Sequence, residues 1–186
     1  GGALIINRKK FFKRALFLRD KGTNKDIFEN NKTAKYKWVD LGSSYTLGEL
    51  PAAFLNYQLD KKNYLKEKRM KLWKIYSREL KILSKKNICL QPKASLSDHN
   101  AHIYYLIIKK IKDKKKLKKL SLKIPLYTHY EPLHSSKAGK TYGVARYNLR
   151  VTDYVSKRLF RLPIYSEMTQ KKVLMISDLI KRTLQV

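Results

Sequence analysis

His102-Ile103-Tyr104-Tyr105-Leu106-Ile107-Ile108 is the stretch on which the fold turns. It is rich in isoleucine and tyrosine, residues that favour strands, and Lys109-Lys110 closes it. Downstream, the pattern alternates. Residues 117–122 read as a short amphipathic helix in a lysine-dense block, and residues 124–130 as a second strand ended by Pro132. Residues 152–159 and 170–184 read as helices, the second with Val173, Ile176, Ile180 and Leu184 on one face. Upstream, a helical spacing runs from Leu50 through Phe54, Tyr57, Leu65, Leu72, Trp73, Tyr76 and Leu80. It predicts one long helix, or two abutting ones, over about residues 49–84. Before it come a break at Gly42-Ser43-Ser44 and a polar stretch holding Phe28, Tyr36 and Trp38. Connections of that length are usually functional or mobile. A helix over residues 11–19 ends at Lys21-Gly22, where glycine suits a left-handed cap, and residues 4–7 read as a strand. Alternation of this kind predicts an α/β chain in two parts, residues 1–60 and 61–186.

Composition narrows the class. A hydrophobic share of 43% with 11% aromatics is enough for a packed core, so the chain reads as globular. No stretch approaches the roughly 20 apolar residues a membrane span needs. The four histidines and one cysteine show no zinc-type spacing, and the lone Cys89 cannot form an internal disulfide. A reducing, cytoplasmic setting is expected, with no membrane partner. The net charge of +29 has two readings. It could attract nucleic acid, or it could be a solvated surface in a lysine-biased composition. Lysines are scattered from Lys9 to Lys181, only residues 112–123 form a dense block, and no nucleic-acid signature accompanies them. A nucleic-acid partner is therefore not expected.

Three segments, in order, carry more information than any of these features. The first is Gly1-Gly2-Ala3-Leu4-Ile5-Ile6-Asn7 with Leu18-Arg19-Asp20-Lys21-Gly22-Thr23-Asn24. The second is Tyr36-Lys37-Trp38-Val39-Asp40-Leu41-Gly42-Ser43-Ser44-Tyr45, leading into Leu50-Pro51-Ala52-Ala53-Phe54-Leu55. The third is His129-Tyr130-Glu131-Pro132-Leu133-His134, with Asn100-Ala101-His102 before it and Leu162-Pro163-Ile164-Tyr165 after it. Together they resemble the DegT/DnrJ/EryC1/StrS sugar aminotransferases over nearly the whole chain.

The resemblance implies the carboxyl-terminal portion of a pyridoxal-phosphate (PLP) fold type I aminotransferase. Residues 1–60 would be the remainder of the large PLP-binding domain and residues 61–186 the small α/β domain. It also implies a homodimer formed through the large domain. The implied reaction moves an amino group from glutamate to a 4-keto nucleotide sugar, such as dTDP-4-dehydro-6-deoxyglucose, for surface polysaccharide. In the family, the lysine that binds the cofactor covalently precedes the segment matching Gly1-Gly2. The chain by itself is then expected to be inactive, and its surface lysines give no sign of the burial that a catalytic lysine needs. Ser43, Ser44 and Tyr45 fall where relatives reach across the dimer to the PLP phosphate; alternatively, the serines cap the following helix. Thr46 departs from the arginine or asparagine of other subfamilies. Thr23, Asn24, Tyr36, Trp38, His129, Tyr130 and His134 fall where substrate would be bound, although His134 could equally be structural. His99 and His102 are read as structural. The rival readings are a non-catalytic remnant or scaffold and, behind it, a basic nucleic-acid-binding domain.

Overall fold

The computed structural model describes residues 2–92 and 99–186, so Gly1 of the first segment lies outside the described residues. The chain divides into two compact units, residues 1–61 and 62–186.

In the first unit a 3-10 turn, Lys9–Phe11, leads into α1, Phe12–Arg19. After it come a short α2, Lys25–Glu29, and then α3, Glu49–Asp60. The strand expected at residues 4–7 is absent. The segment runs unpaired, with Leu4 78% and Ile5 83% exposed, because no described strand of the chain lies alongside to supply a ladder. The buried residues of this unit are polar or glycine: Asp20, Gly22, Thr23 and Asn24.

The second unit holds the hydrophobic core. It opens with α4, Lys62–Glu79, and α5, Lys81–Lys85, followed by β1, Cys89–Leu90, and β2, Tyr104–Ile108. Then come α6, Ile111–Leu120, β3, Tyr127–Thr128, α7, Lys137–Tyr142, and α8, Arg150–Ser156. It closes with β4, Leu159–Leu162, and α9, Gln170–Thr183. The strands form an antiparallel sheet in the order β1-β2-β4-β3.

Strand period explains the two faces of this sheet. Tyr104, Leu106 and Ile108 are buried, while Tyr105 and Ile107 between them are half-buried. The buried set joins Phe160 and Leu162 of β4 in one cluster with Trp73 and Tyr76 of α4, Leu117 of α6, and Val173, Ile176 and Ile180 of α9. The Tyr76 ring stacks on Tyr104 at 5.1 Å, and its hydroxyl donates to the Pro163 carbonyl at 3.0 Å, so a buried phenol keeps a partner. Thr169 caps α9 by accepting from the Lys172 amide. The other face carries Tyr105, Arg161 and Tyr127 in one cross-strand row.

Two elements differ from expectation. The strand expected over residues 124–130 shrinks to Tyr127–Thr128, because the backbone ahead of it is used in a turn: the Ile124 amide donates to Leu120, the Leu126 amide to Ile124, and Pro125 has no N–H. The helix expected over residues 152–159 stops at Ser156, and Leu159 begins β4, which the sequence pattern did not show. Four residues, Leu-Phe-Arg-Leu, have no period of their own; pairing with β2 on one side and β3 on the other makes them a strand.

Candidate functional site

In the first unit, α1 ends in two left-handed residues, Lys21 at φ 62° and Gly22 at φ 76°. The Gly22 amide turns back to donate to the Phe17 carbonyl at 2.7 Å. A side chain is excluded at Gly22 twice over: its φ is positive, and a Cβ would lie 1.8 Å from the Asp40 carbonyl oxygen. At Gly42 a Cβ would fall 2.1 Å from the Gly22 amide nitrogen, so the two segments pass backbone against backbone. Main-chain bonds lock that crossing. Lys21 donates to the Ser43 carbonyl, Tyr45 to Arg19, and both Val39 and Asp40 to Gly22.

Thr23 and Asn24 sit inside this turn. The Thr23 hydroxyl donates to the Asp20 carbonyl at 2.7 Å. Asn24 donates to the Lys35 carbonyl at 2.9 Å and accepts from the Lys37 amide at 2.6 Å, so its amide is used at both ends. The Ser43-Ser44-Tyr45 segment stands at the exposed edge, and Tyr45 is 72% exposed. Neither serine caps α3: Gly48 occupies the cap position, with no side-chain cap bond.

Ser44 lines a small cleft of about 190 Å³ together with Tyr36, Thr46, Arg19, Lys21 and Lys25. Asp20 is the carboxylate there, and it is held by Arg19 at 2.8 Å. Three hydroxyls, the Lys21 ammonium and Lys25, which also pairs with Glu29 at 3.6 Å, make up a donor set that fits a phosphate group. The structure thus brings Ser44 and Tyr36 to one place. Trp38, Thr23, Asn24, Ser43 and Tyr45 do not line that cleft. Arg19, Lys21, Lys25 and Thr46 do, and the sequence did not single out the three cations because lysine and arginine are common throughout.

In the second unit, the loop at residues 129–136 is braced on three sides. Ser135 and Ser136 both donate to the Pro132 carbonyl, Ser136 caps α7 by accepting from the Gly139 amide at 3.0 Å, and the His134 Nε2 meets Asp153 of α8 at 2.9 Å. Gly139 is needed at this junction, since a Cβ there would strike the Leu133 carbonyl oxygen at 1.6 Å. His129 and Tyr130, edge to face at 5.5 Å, line a cleft of about 560 Å³ with Val151, Val155 and Leu159. His134 lines another of about 460 Å³, which is mostly apolar. Of the remaining histidines, His99 packs on Trp73 at 4.8 Å and its Nδ1 accepts from the Ala101 amide; His102 is exposed.

One lysine departs from the expectation of ordinary surface amines. Lys114 is held below the usual lysine range, by burial first and then by Lys118 and Arg158. Its Nζ donates to the Lys157 carbonyl and lies 6.0 Å over the Phe160 ring. It lines none of the clefts described above. Among the described residues no group of three His, Cys, Asp or Glu could hold a metal ion, and no helix is long and apolar enough to cross a membrane.

The model of the DegT/DnrJ/EryC1/StrS aminotransferase family matches residues 1–181. The chain belongs to that family. A curated relative, the "Uncharacterized protein MJ1066" of Methanocaldococcus jannaschii, is 24% identical, and the match covers 98% of this chain and 49% of that protein. Among solved structures, this fold superposes on Helicobacter pylori PseC, an aminotransferase involved in the biosynthesis of pseudoaminic acid. The TM-score is 0.79 at 19% identity, covering 96% of this chain and 47% of PseC. It also superposes on the PLP form of the putative sugar aminotransferase Spr1654 of Streptococcus pneumoniae, with TM-score 0.77, 16% identity and coverage of 97% and 45%. The chain spans about half the length of these relatives, and its fold is that of part of an α/β aminotransferase.

Proposed function

We propose that this member of the family serves the transamination of a 4-keto nucleotide sugar, with glutamate as amino donor and PLP as cofactor. Within the family, the Lys21-Gly22-Thr23-Asn24 and Asp40-Leu41-Gly42-Ser43-Ser44-Tyr45 segments point to dTDP-4-amino-4,6-dideoxygalactose transaminase, and so to dTDP-4-dehydro-6-deoxyglucose as substrate and surface polysaccharide as destination. The observation that carries this reading is the cleft that Ser44, Thr46 and Tyr36 line together with Lys21 and Lys25.

Bound there by its phosphate, PLP supplies the electron sink that amino transfer requires. The chain's own part is to bind and orient. Ser44 and its neighbours hold the phosphate, with their hydroxyls set in place by the Gly22–Gly42 crossing. Ser43 and Tyr45 extend that edge toward a second subunit, and a homodimer would cover the apolar side chains that this unit exposes. Thr23 and Asn24 keep the turn rigid beside substrate, while Tyr36 and Trp38 form the mouth. The His129–Tyr130 pair presents ring faces to the sugar nucleotide, and the His134–Asp153 bond fixes the loop that carries it. The covalent lysine is not contributed by these residues, so the chain alone does not turn over.

Titrating the chain with PLP, followed by amide NMR, tests this. Shifts should centre on residues 42–46, and Ser44→Ala should weaken binding about tenfold while leaving the melting temperature within a degree or two. Unchanged affinity in Ser44→Ala would remove the phosphate role. A stoichiometric borohydride-fixed adduct at one lysine, together with turnover of glutamate and keto sugar, would place the covalent lysine within these 186 residues.

A further inference from the structure

The row Tyr105–Arg161–Tyr127 lies on the sheet face opposite the helical core. Arg161 is the only cation in it, and the Nε of its half-buried side chain is buried without a hydrogen-bond partner. No carboxylate among the described residues pairs with it. The described compensation is the Tyr130 ring, whose centroid lies 5.8 Å from the guanidinium carbon, near the outer limit of the cation–π range, and it supplies no acceptor for the Nε–H. Buried guanidinium N–H groups left without an acceptor are costly, and natural proteins rarely keep them without a reason.

Arg161 opens onto a cleft of about 320 Å³ that it shares with His102, Tyr127 and Tyr165. His102 and Tyr127 are exposed, so their polar ends are free to turn toward a ligand. The Tyr165 hydroxyl accepts from the Lys172 ammonium at 3.0 Å. That bond leaves the phenolic proton available and makes it a better donor. Every polar side chain around the cleft can therefore donate, and none of them is anionic.

We propose that this cleft is a binding site for a compact oxyanion, phosphate or carboxylate, gripped by the Arg161 guanidinium and completed by Tyr165, Tyr127 and His102. A guanidinium presents a planar fork that matches such groups two bonds at a time. The proposal rests on the reading of residues 129–134 as substrate-facing only for the source of the anion. Because Tyr130 lines the loop's cleft and its ring lies 5.8 Å from the guanidinium carbon, the diphosphate of a nucleotide sugar and a carboxylate of the amino donor are the two candidates.

The test is direct binding, without turnover, so that it stands or falls separately from transamination. The full chain is titrated with inorganic pyrophosphate and, in parallel, with glutarate, at fixed ionic strength. The readouts are the Arg161 Nε–H resonance and calorimetry. The resonance should move saturably with at least one probe, and Arg161→Gln should weaken that probe at least tenfold, with Arg161→Lys falling between. Tighter pyrophosphate binding would identify the diphosphate as the occupant, and tighter glutarate binding the donor's carboxylate. Lys118→Gln, on α6, controls for the general pull of a chain carrying a net charge of +29. If Lys118→Gln weakens binding as much as Arg161→Gln does, or if the Nε–H resonance stays fixed under both probes, the assignment is overturned. The resonance test needs no variant, so a misfolded Arg161→Gln would not shield the proposal.

Discussion

At the scale of single residues, Cys89 shows how burial sets chemistry. It lies 1% exposed at the start of β1, and burial pushes its thiol up to about 11. The neutral thiol is the form the fold favours. Its contribution to stability is therefore complete below the unfolded value near 9 and is lost as pH rises toward 11. Burial also raises Tyr76 and Tyr104, which extends the same trend to higher pH. The unfolding free energy should fall by about 2 kcal/mol between pH 9 and 11 from Cys89 alone, by two-state linkage. Cys89→Ala should flatten that part of the curve. At pH 8 the native thiol should resist a disulfide reagent that modifies the unfolded chain within minutes; equal rates would mean the site is open.

At the scale of elements, β2 organises the second unit, because each of its faces meets a different environment. Leu106 is fully buried against the helices, whereas Ile107, one residue on, is half-buried on the outer face. Leu106→Ala should cost about 3 kcal/mol, the cavity cost of a closed core, and Ile107→Ala about 1 kcal/mol or less. Urea unfolding of the two variants checks the contrast. Similar losses would mean that the outer face is as tightly covered as the inner one, and the Arg161 cleft would then be sealed.

At the scale of the whole molecule, the two units are built differently. Residues 62–186 enclose a continuous apolar core, while residues 1–61 bury a polar turn and expose Phe11, Phe12, Leu41, Leu47, Leu50 and Phe54. Hydrophobic burial is the dominant favourable term in folding, so stability should be uneven along the chain. Hydrogen exchange should be slowest in β2, β4 and α9 and fastest before residue 48. Sedimentation should show association that grows with concentration, as expected for exposed apolar surface. Uniform protection along the chain, with a strictly monomeric profile, would contradict this picture.

Local pattern was enough for the elements that carry their own period. The α9 face of Val173, Ile176 and Ile180, the β2 strand and the left-handed Gly22 cap follow from spacing and steric rules that act within a few residues. The ordered motifs likewise carry the resemblance to the family whose model matches residues 1–181. Other features needed partners distant in sequence. β4 exists because β2 and β3 pair with it, and residues 4–7 fail to be a strand because nothing described pairs with them. Gly48, and neither serine at 43 or 44, holds the cap position of α3, and Ser44 joins Lys21, Lys25 and Tyr36 only through the Gly22–Gly42 crossing. Arg161 was indistinguishable among the cations of this chain until the sheet register set it between two tyrosines with its Nε unpaired. Propensity and period are short-range properties and survive in a string of letters. Which groups are left without a partner depends on long-range pairing and burial, and that is decided only when the chain is folded.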